Sequence, residues 1–154
     1  MLLQLGHGPL CVARVTHQYA SEAGGKLFIT GGVTHHRGFP AVSHAFSELL
    51  AFDGDSWRVH AEMSEASCYS AVVGLPDLSP PEVWVIGGGG PPGRLASTQI
   101  FDANTGERRE GVSLPSGRLG CIGAAVAGRV YVIGGSGGFG GEALDQCVSI
   151  APVC

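Results

Sequence analysis

Three glycine doublets, Gly31-Gly32, Gly87-Gly88 and Gly134-Gly135, each end a short apolar run. The doublets begin at residues 31, 87 and 134, so they are 56 and 47 residues apart. A period near 50 residues is typical of repeat proteins in which each copy is one supersecondary unit. The chain is therefore expected to contain about three copies of one unit.

The run before each doublet has the composition of a buried strand. The runs are residues 26–30, 82–86 and 129–133, and they are rich in β-branched and aromatic residues. Such runs favour strands that are covered on both faces. The core is accordingly predicted to be formed by Leu27, Phe28, Ile29, Val83, Trp84, Val85, Ile86, Val130, Tyr131, Val132 and Ile133.

A further strand is predicted after each doublet, beyond a loop rich in Gly, Pro or His. These strands span residues 44–53, 95–102 and 144–150, and the first two end in Phe-Asp followed by a turn with Gly. Because Asp53 and Asp102 recur at equivalent turns, they are expected to have a structural role there.

The composition excludes several classes of protein. Glycine makes up 26 of 154 residues without a Gly-X-Y period, so a collagen is excluded. The net charge is −4 and Lys26 is the only lysine, so nucleic-acid binding is not expected. No apolar run is long enough to span a membrane, and the N-terminus does not resemble a signal peptide. Five cysteines without a CxxC pair indicate reduced thiols in a cytoplasmic or nuclear protein.

The most complete copy of the repeat spans residues 118–135, where Arg118 opens one strand and a second strand ends in Gly134-Gly135. Together with the aromatic-Asp turns and Trp57, this pattern resembles the kelch repeat over about residues 10–150. The middle copy departs from it, with Ser67-Cys68 where the arginine would fall.

The kelch resemblance implies an all-β fold of about three four-stranded antiparallel β-propeller blades. It divides the chain into an N-terminal segment over 1–9 (a candidate edge strand), blade 1 over 10–63, blade 2 over 64–115 and a truncated blade 3 over 116–154.

Three blades are too few to close a ring, because propellers use about four to eight. Three interpretations remain open: a fragment of a longer kelch protein, an open array of three blades, or a ring completed by self-association. In the last of these, residues 2–5 of one copy would supply the missing outer strand in the last blade of the other.

The resemblance implies a protein–protein interaction module, such as a substrate-recognition or adaptor fragment, and not an enzyme. Arg37 and Arg94 follow their doublets at similar offsets, which places them in equivalent loops of neighbouring blades. Guanidinium groups there could bind the carboxylates of an acidic peptide. The predicted binding set is His35, His36, Arg37, Arg94, Arg118 and Phe139.

Each member of this set also has a structural interpretation. His35 and His36 suit a solvated loop, Phe139 could pack over its blade, and Arg118 could bond loop carbonyls. The rival functions are an enzyme on a kelch scaffold, of the sugar isomerase or oxidase type, and a degenerate fragment without function. The enzyme would require a pocket with clustered polar groups, for example His17, His35, His36 and His44. The repeats bring together no nucleophile–base pair, and no phosphate loop is found, so no cofactor and no metal are expected.

Overall fold

The computed structural model describes residues 19–34, 44–91, 93–137 and 141–152. Within these ranges the chain is all-β and its strands pair antiparallel. None of this part of the chain forms a helix with the length and apolarity to cross a membrane. The strands are β1 (Ala20–Ala23), β2 (Lys26–Thr30), β3 (Val33–Thr34), β4 (His44–Ala45), β5 (Glu48–Phe52), β6 (Trp57–Glu62), β7 (Ala71–Leu75), β8 (Glu82–Ile86), β9 (Gly89–Gly90), β10 (Gly93–Arg94), β11 (Thr98–Asp102), β12 (Arg108–Glu110), β13 (Ile122–Val126), β14 (Arg129–Ile133) and β15 (Cys147–Ile150).

Three main sheets follow one another along the chain. The first has the order β1-β2-β5-β6, and the second has the order β7-β8-β11-β12. The third sheet contains the three strands β13-β14-β15 within the described ranges. Two-residue strands form two further hairpins, β3 with β4 and β9 with β10. The predicted all-β class is therefore confirmed, with two antiparallel sheets of four strands.

The strand before each doublet occupies the same place in its sheet. The register pairs Leu27 with Phe52 and Val83 with Phe101, so these two pairs are equivalent. Alternate residues of a strand point to opposite faces of a sheet. We call the face that carries Phe28, Trp84 or Tyr131 the front of its sheet, and the opposite face the back.

The sheets stack front to back. One buried cluster joins Phe28 and Ala51 of the first sheet to Val83, Val85 and Phe101 of the second. A second cluster joins the front of the second sheet to the back of the third. Its members include Val73, Trp84, Ile86, Ile100, Val130, Val132 and Ile150. The second sheet is thus covered on both faces, as its sequence predicts.

The predicted core was wrong at two positions. Leu27 is 39% exposed and Ile133 is 48% exposed. Leu27 lies on the back of the first sheet and Ile133 on the front of the third, and no described sheet covers either face. Ile29 and Tyr131, on the same two faces, are partly exposed. The remaining predicted core residues are buried: Phe28, Val83, Trp84, Val85, Ile86, Val130 and Val132.

The first strands of the three sheets lie side by side, since β7 contacts both β1 and β13. The amide of Gly74 in β7 donates to Ser21 Oγ in β1 at 2.7 Å. A Cβ at Gly74 would overlap the carbonyl oxygen of Glu22, so only glycine allows this approach.

Asp53 and Asp102 have the predicted structural role in their turns. Asp53 Oδ1 accepts hydrogen bonds from the amides of Asp55 at 3.1 Å and Ser56 at 3.0 Å. Asp102 Oδ1 accepts from the amides two and three residues later, at 2.7 and 2.9 Å. The carboxylates thereby satisfy turn amides that have no backbone partner among the described residues.

The Asp102 turn should make folding stability depend on pH. Burial by itself raises the pKa of Asp102, but the hydrogen bonds from Thr105 and Asn104 outweigh it, and the pKa lies below its ordinary value. The carboxylate therefore stabilises the fold above its unfolded pKa of about 3.9, and this contribution is lost as pH falls through the lower folded pKa. Asp102→Asn keeps the Oδ1 acceptor and should flatten this part of the profile.

Urea titrations from neutral to acidic pH would measure the effect as the slope of unfolding free energy against pH. Asp145→Asn, at an exposed position, is the matched control. If both variants kept the wild-type slope, the Asp102 turn would not be the source of the dependence.

Candidate functional site

A short hairpin follows each glycine doublet. It is β3–β4 in the first unit, β9–β10 in the second, and a single bridge between Ser136 and Ala143 in the third. Because each hairpin follows the second strand of its sheet, all three lie at the same end of the stacked sheets. We call this surface the hairpin end, and it is the contact face that the sequence predicts.

Backbone hydrogen bonds tie the first hairpin to the segment that leads into the second sheet. The amide of Gly32 donates to the Ser67 carbonyl at 3.1 Å, and the Ser67 amide donates to the Phe46 carbonyl at 3.0 Å. We call this pair of bonds a clamp. A Cβ on Gly31 would overlap the Ser67 carbonyl oxygen, which explains why the doublet begins with glycine here.

The same clamp recurs between the second and third sheets. The amide of Gly88 donates to the Arg118 carbonyl at 2.7 Å, and the Arg118 amide donates to the Leu95 carbonyl at 3.1 Å. Ser67 and Arg118 therefore occupy equivalent places. This equivalence agrees with the interpretation that Ser67 stands where the repeat would have its arginine.

The side chain of Arg118 is enclosed beneath the hairpin end. The residue is fully buried, and its Nη1 donates to the Gly134 carbonyl at 3.3 Å. Its Nη2 donates to Ser116 Oγ at 3.3 Å and to Gln146 Oε1 at 3.2 Å. These contacts suit the structural interpretation of Arg118, and its binding role stays a prediction.

Arg94 lies on the surface of the hairpin end. It is exposed, pairs with Gly89 in the β9–β10 hairpin, and would have its Nη1 3.0 Å from a Cβ built on Gly137 of the third unit. Its guanidinium makes no hydrogen bond or ion pair within the described part of the chain. The other described arginines have partners in that part: Arg58 with Asp53, Arg108 with Glu110, Arg109 with Glu82, Arg118 as above, and Arg129 with Ser149.

No family model and no curated protein matches the chain. The kelch resemblance accordingly depends on the repeated residues and on the geometry described above.

Four members of the predicted binding set lie outside the described residues: His35, His36, Arg37 and Phe139. The expected proximity of Arg37 to Arg94 therefore stays a prediction. Residues 2–5 and His17 also lie outside, as does the side chain of His44, so the missing outer strand and the histidine cluster stay predictions as well.

The thiols of the described core are poorly suited to chemistry. Burial raises the pKa of both Cys68 and Cys121, and Cys68 Sγ donates to the Gly89 carbonyl at 3.2 Å. A neutral, buried thiol is a weak nucleophile. No group of three or more His, Cys, Asp or Glu side chains within the described ranges could hold a metal ion.

A cleft that the sequence did not predict lies between the second and third sheets. Its volume is about 280 Å³, and its walls include Trp84, Ile100, Arg109, Val112 and Ile150. Arg109 Nη2 binds Glu82 Oε1 at 2.7 Å, so the charge at its rim is already neutralised. Glu82 is the first residue of β8, and it could have been recognised as the partner of Arg109 only once the register of the strands was known.

Proposed function

We propose that the three sheets are kelch-type propeller blades and that the chain is a protein-binding module whose contact face is the hairpin end. The repeated clamp, the equivalent doublets and the front-to-back stacking support the blade interpretation. Kelch modules often act as substrate adaptors, and the proposed partner is a protein segment that carries carboxylates.

The proposal depends on the guanidinium of Arg94, which is exposed and has no hydrogen-bond or ion-pair partner in the described part of the chain. An arginine without an internal partner can bind a carboxylate through two parallel hydrogen bonds. Its neighbours Gly89 and Gly137 have no side chains, so an extended peptide could approach the guanidinium closely. The sequence predicts that Arg37 lies in the equivalent loop of the first blade, where it would extend the site along the peptide.

The proposal is tested with a panel of fluorescein-labelled peptides that contain Asp and Glu at varied spacing, read by fluorescence anisotropy. Arg94→Ala should weaken the best peptide about tenfold or more, as is usual for an arginine that anchors an interface. Arg94→Lys should restore little of the affinity, because an ammonium cannot bind a carboxylate in two places.

Arg58→Ala is the matched control, because Arg58 is an exposed arginine on β6 that pairs with Asp53. It should leave the affinity unchanged. Equal affinity of wild type and Arg94→Ala, or no binding of any acidic peptide, would rule out the proposed recognition. The double variant Arg37→Ala with Arg94→Ala should lose binding altogether if both loops contribute.

A further inference from the structure

The front of the third sheet is an exposed apolar surface. Ile122 is 63% exposed, Val126 is 59% exposed and Ile133 is 48% exposed. The register places these residues on one face with Tyr131, and Cys147 opposite Ile133 is exposed beside them. Adjacent exposed apolar residues of this kind mark a surface that binds a partner.

The back of the first sheet is a second apolar surface. Leu27 is 39% exposed and Val59 is 57% exposed. Phe52 pairs in register with both Leu27 and Trp57, and its ring stacks against that of Trp57 at a centroid distance of 5.2 Å. This face also lacks a covering element among the described residues.

The two interfaces inside the chain indicate what covers such faces. Tyr131 of the third sheet is equivalent to Phe28 of the first and Trp84 of the second, and both of those pack against the back of the following sheet. Leu27 of the first sheet is equivalent to Val83, which packs against the front of the preceding sheet. The face that fits the front of the third sheet is therefore the back of a first sheet.

We propose that the front of the third sheet binds the back of the first sheet of a second copy of this chain. Two copies joined in this way at both ends close a ring of six sheets. Six lies within the usual range of about four to eight blades, whereas three copies would give nine. The six-sheet ring rests on the blade interpretation in the proposed function, but it does not depend on acidic-peptide binding.

The clamps give independent support, because the third sheet has the backbone groups of a clamp but no described segment that completes it. Gly135 and Leu144 are equivalent to Gly32 and Phe46, and the Leu144 amide donates to the Gly135 carbonyl at 2.8 Å as Phe46 does to Gly32. Among the described residues, however, no backbone segment bonds the Gly135 amide and the Leu144 carbonyl. Within the described ranges, the hairpin end of the third sheet thus has one backbone donor and one backbone acceptor without a backbone partner, at the place where a clamp to the next sheet would form.

The charges on the two faces are complementary. Arg129 lies on the front of the third sheet, opposite Val126 and next to the β13–β14 turn. Glu22 lies on the back of the first sheet, opposite Leu27 and next to the β1–β2 turn. The two charges lie one residue apart in level, each near the first turn of its sheet, so head-to-tail stacking would bring them close to each other.

Closure of the ring by two contacts also explains how contact faces of small area could give a stable dimer. Once one front–back contact has formed, the second becomes intramolecular and is favoured by a high effective concentration. The arrangement is a closed twofold ring, so it leaves no free apolar end that would continue into a filament.

Sedimentation velocity of the 154-residue chain over a range of concentrations is the first test. A species of twice the chain mass is expected. A monomer at all concentrations, or assemblies of three or more copies, would overturn the proposal. Peptide binding through Arg94 is measured separately on the same samples, so failure of one proposal is distinguishable from failure of the other.

Two substitutions test the head-to-tail geometry. Ile122→Glu on the front and Leu27→Glu on the back should each raise the dimer dissociation constant on the order of a hundredfold, because each buries an unpaired charge. Val112→Glu, at a residue 57% exposed but on neither face, is the control and should remain dimeric. Circular dichroism confirms that each variant is folded.

If Leu27→Glu remained dimeric while Ile122→Glu dissociated, the dimer would pair two fronts and the proposal would be wrong. A charge exchange gives a second measurement. Glu22→Arg and Arg129→Glu should each weaken the dimer, and the double variant should recover part of the loss. Alkylation of Cys147, mapped by mass spectrometry, should be slower in the dimer than in Ile122→Glu, and equal rates would contradict burial of this face.

Discussion

Gly31→Ala is expected to lower the free energy of unfolding by about 3 kcal/mol or more. Gly31 has a φ of +46°, which alanine adopts only at a cost, and its Cβ would overlap the carbonyl oxygen of Ser67. That oxygen belongs to the clamp between the first and second sheets, and it accepts the Gly32 amide at 3.1 Å. The substitution therefore strains the backbone and also pushes two sheets apart.

Gly25→Ala separates these two effects. Gly25 has a φ of +74° in the β1–β2 turn, but a Cβ there would meet nothing within 4 Å. It should cost only about 1–2 kcal/mol, the conformational part of the penalty. Urea unfolding of both variants measures the difference. Equal losses would show that the clamp tolerates a methyl group and that Gly31 is required only for its backbone angles.

The doublets allowed the strand pattern to be predicted from sequence, because glycine pairs and apolar runs are local signals. The runs 26–30, 82–86 and 129–133 all form the expected strands β2, β8 and β14. The exposure of Leu27 and Ile133 was not predictable in the same way. Local composition is similar in all three runs, and burial depends on whether a neighbouring sheet covers the face.

The candidate site was predicted less completely than the fold. The offset of Arg94 from its doublet predicted a loop, and the structure places Arg94 in the β9–β10 hairpin. The sequence does not reveal that its guanidinium has no hydrogen-bond or ion-pair partner among the described residues. That property depends on where distant acidic residues lie after folding. Asp53, Glu82 and Glu110 pair with other arginines across or along strands. The clamps could not be predicted from the sequence either, because backbone groups form them.

Arg118→Ala is expected to lower the free energy of unfolding by about 3 kcal/mol, because it removes three hydrogen bonds from a charged group and leaves a cavity. The bond from Arg118 Nη1 to the Gly134 carbonyl, at 3.3 Å, attaches the third doublet to the segment that enters the third sheet. Gln146 would also lose the donor to its Oε1. Arg118→Lys should recover only part of the loss, since an ammonium cannot reproduce the spread of guanidinium donors.

The measurement pairs urea unfolding with the peptide anisotropy assay, and Arg94→Ala is the matched control. Arg94 is exposed, and its guanidinium makes no hydrogen bond or ion pair within the described ranges, so its substitution should change stability by no more than about 0.5 kcal/mol. The two arginines should therefore give opposite results: Arg118→Ala loses stability, and Arg94→Ala loses affinity. If Arg118→Ala had the stability of the wild type but failed to bind peptide, the structural role argued from the three hydrogen bonds of Arg118 would be wrong. The guanidinium of wild-type Arg118 would then have to become accessible in the complex.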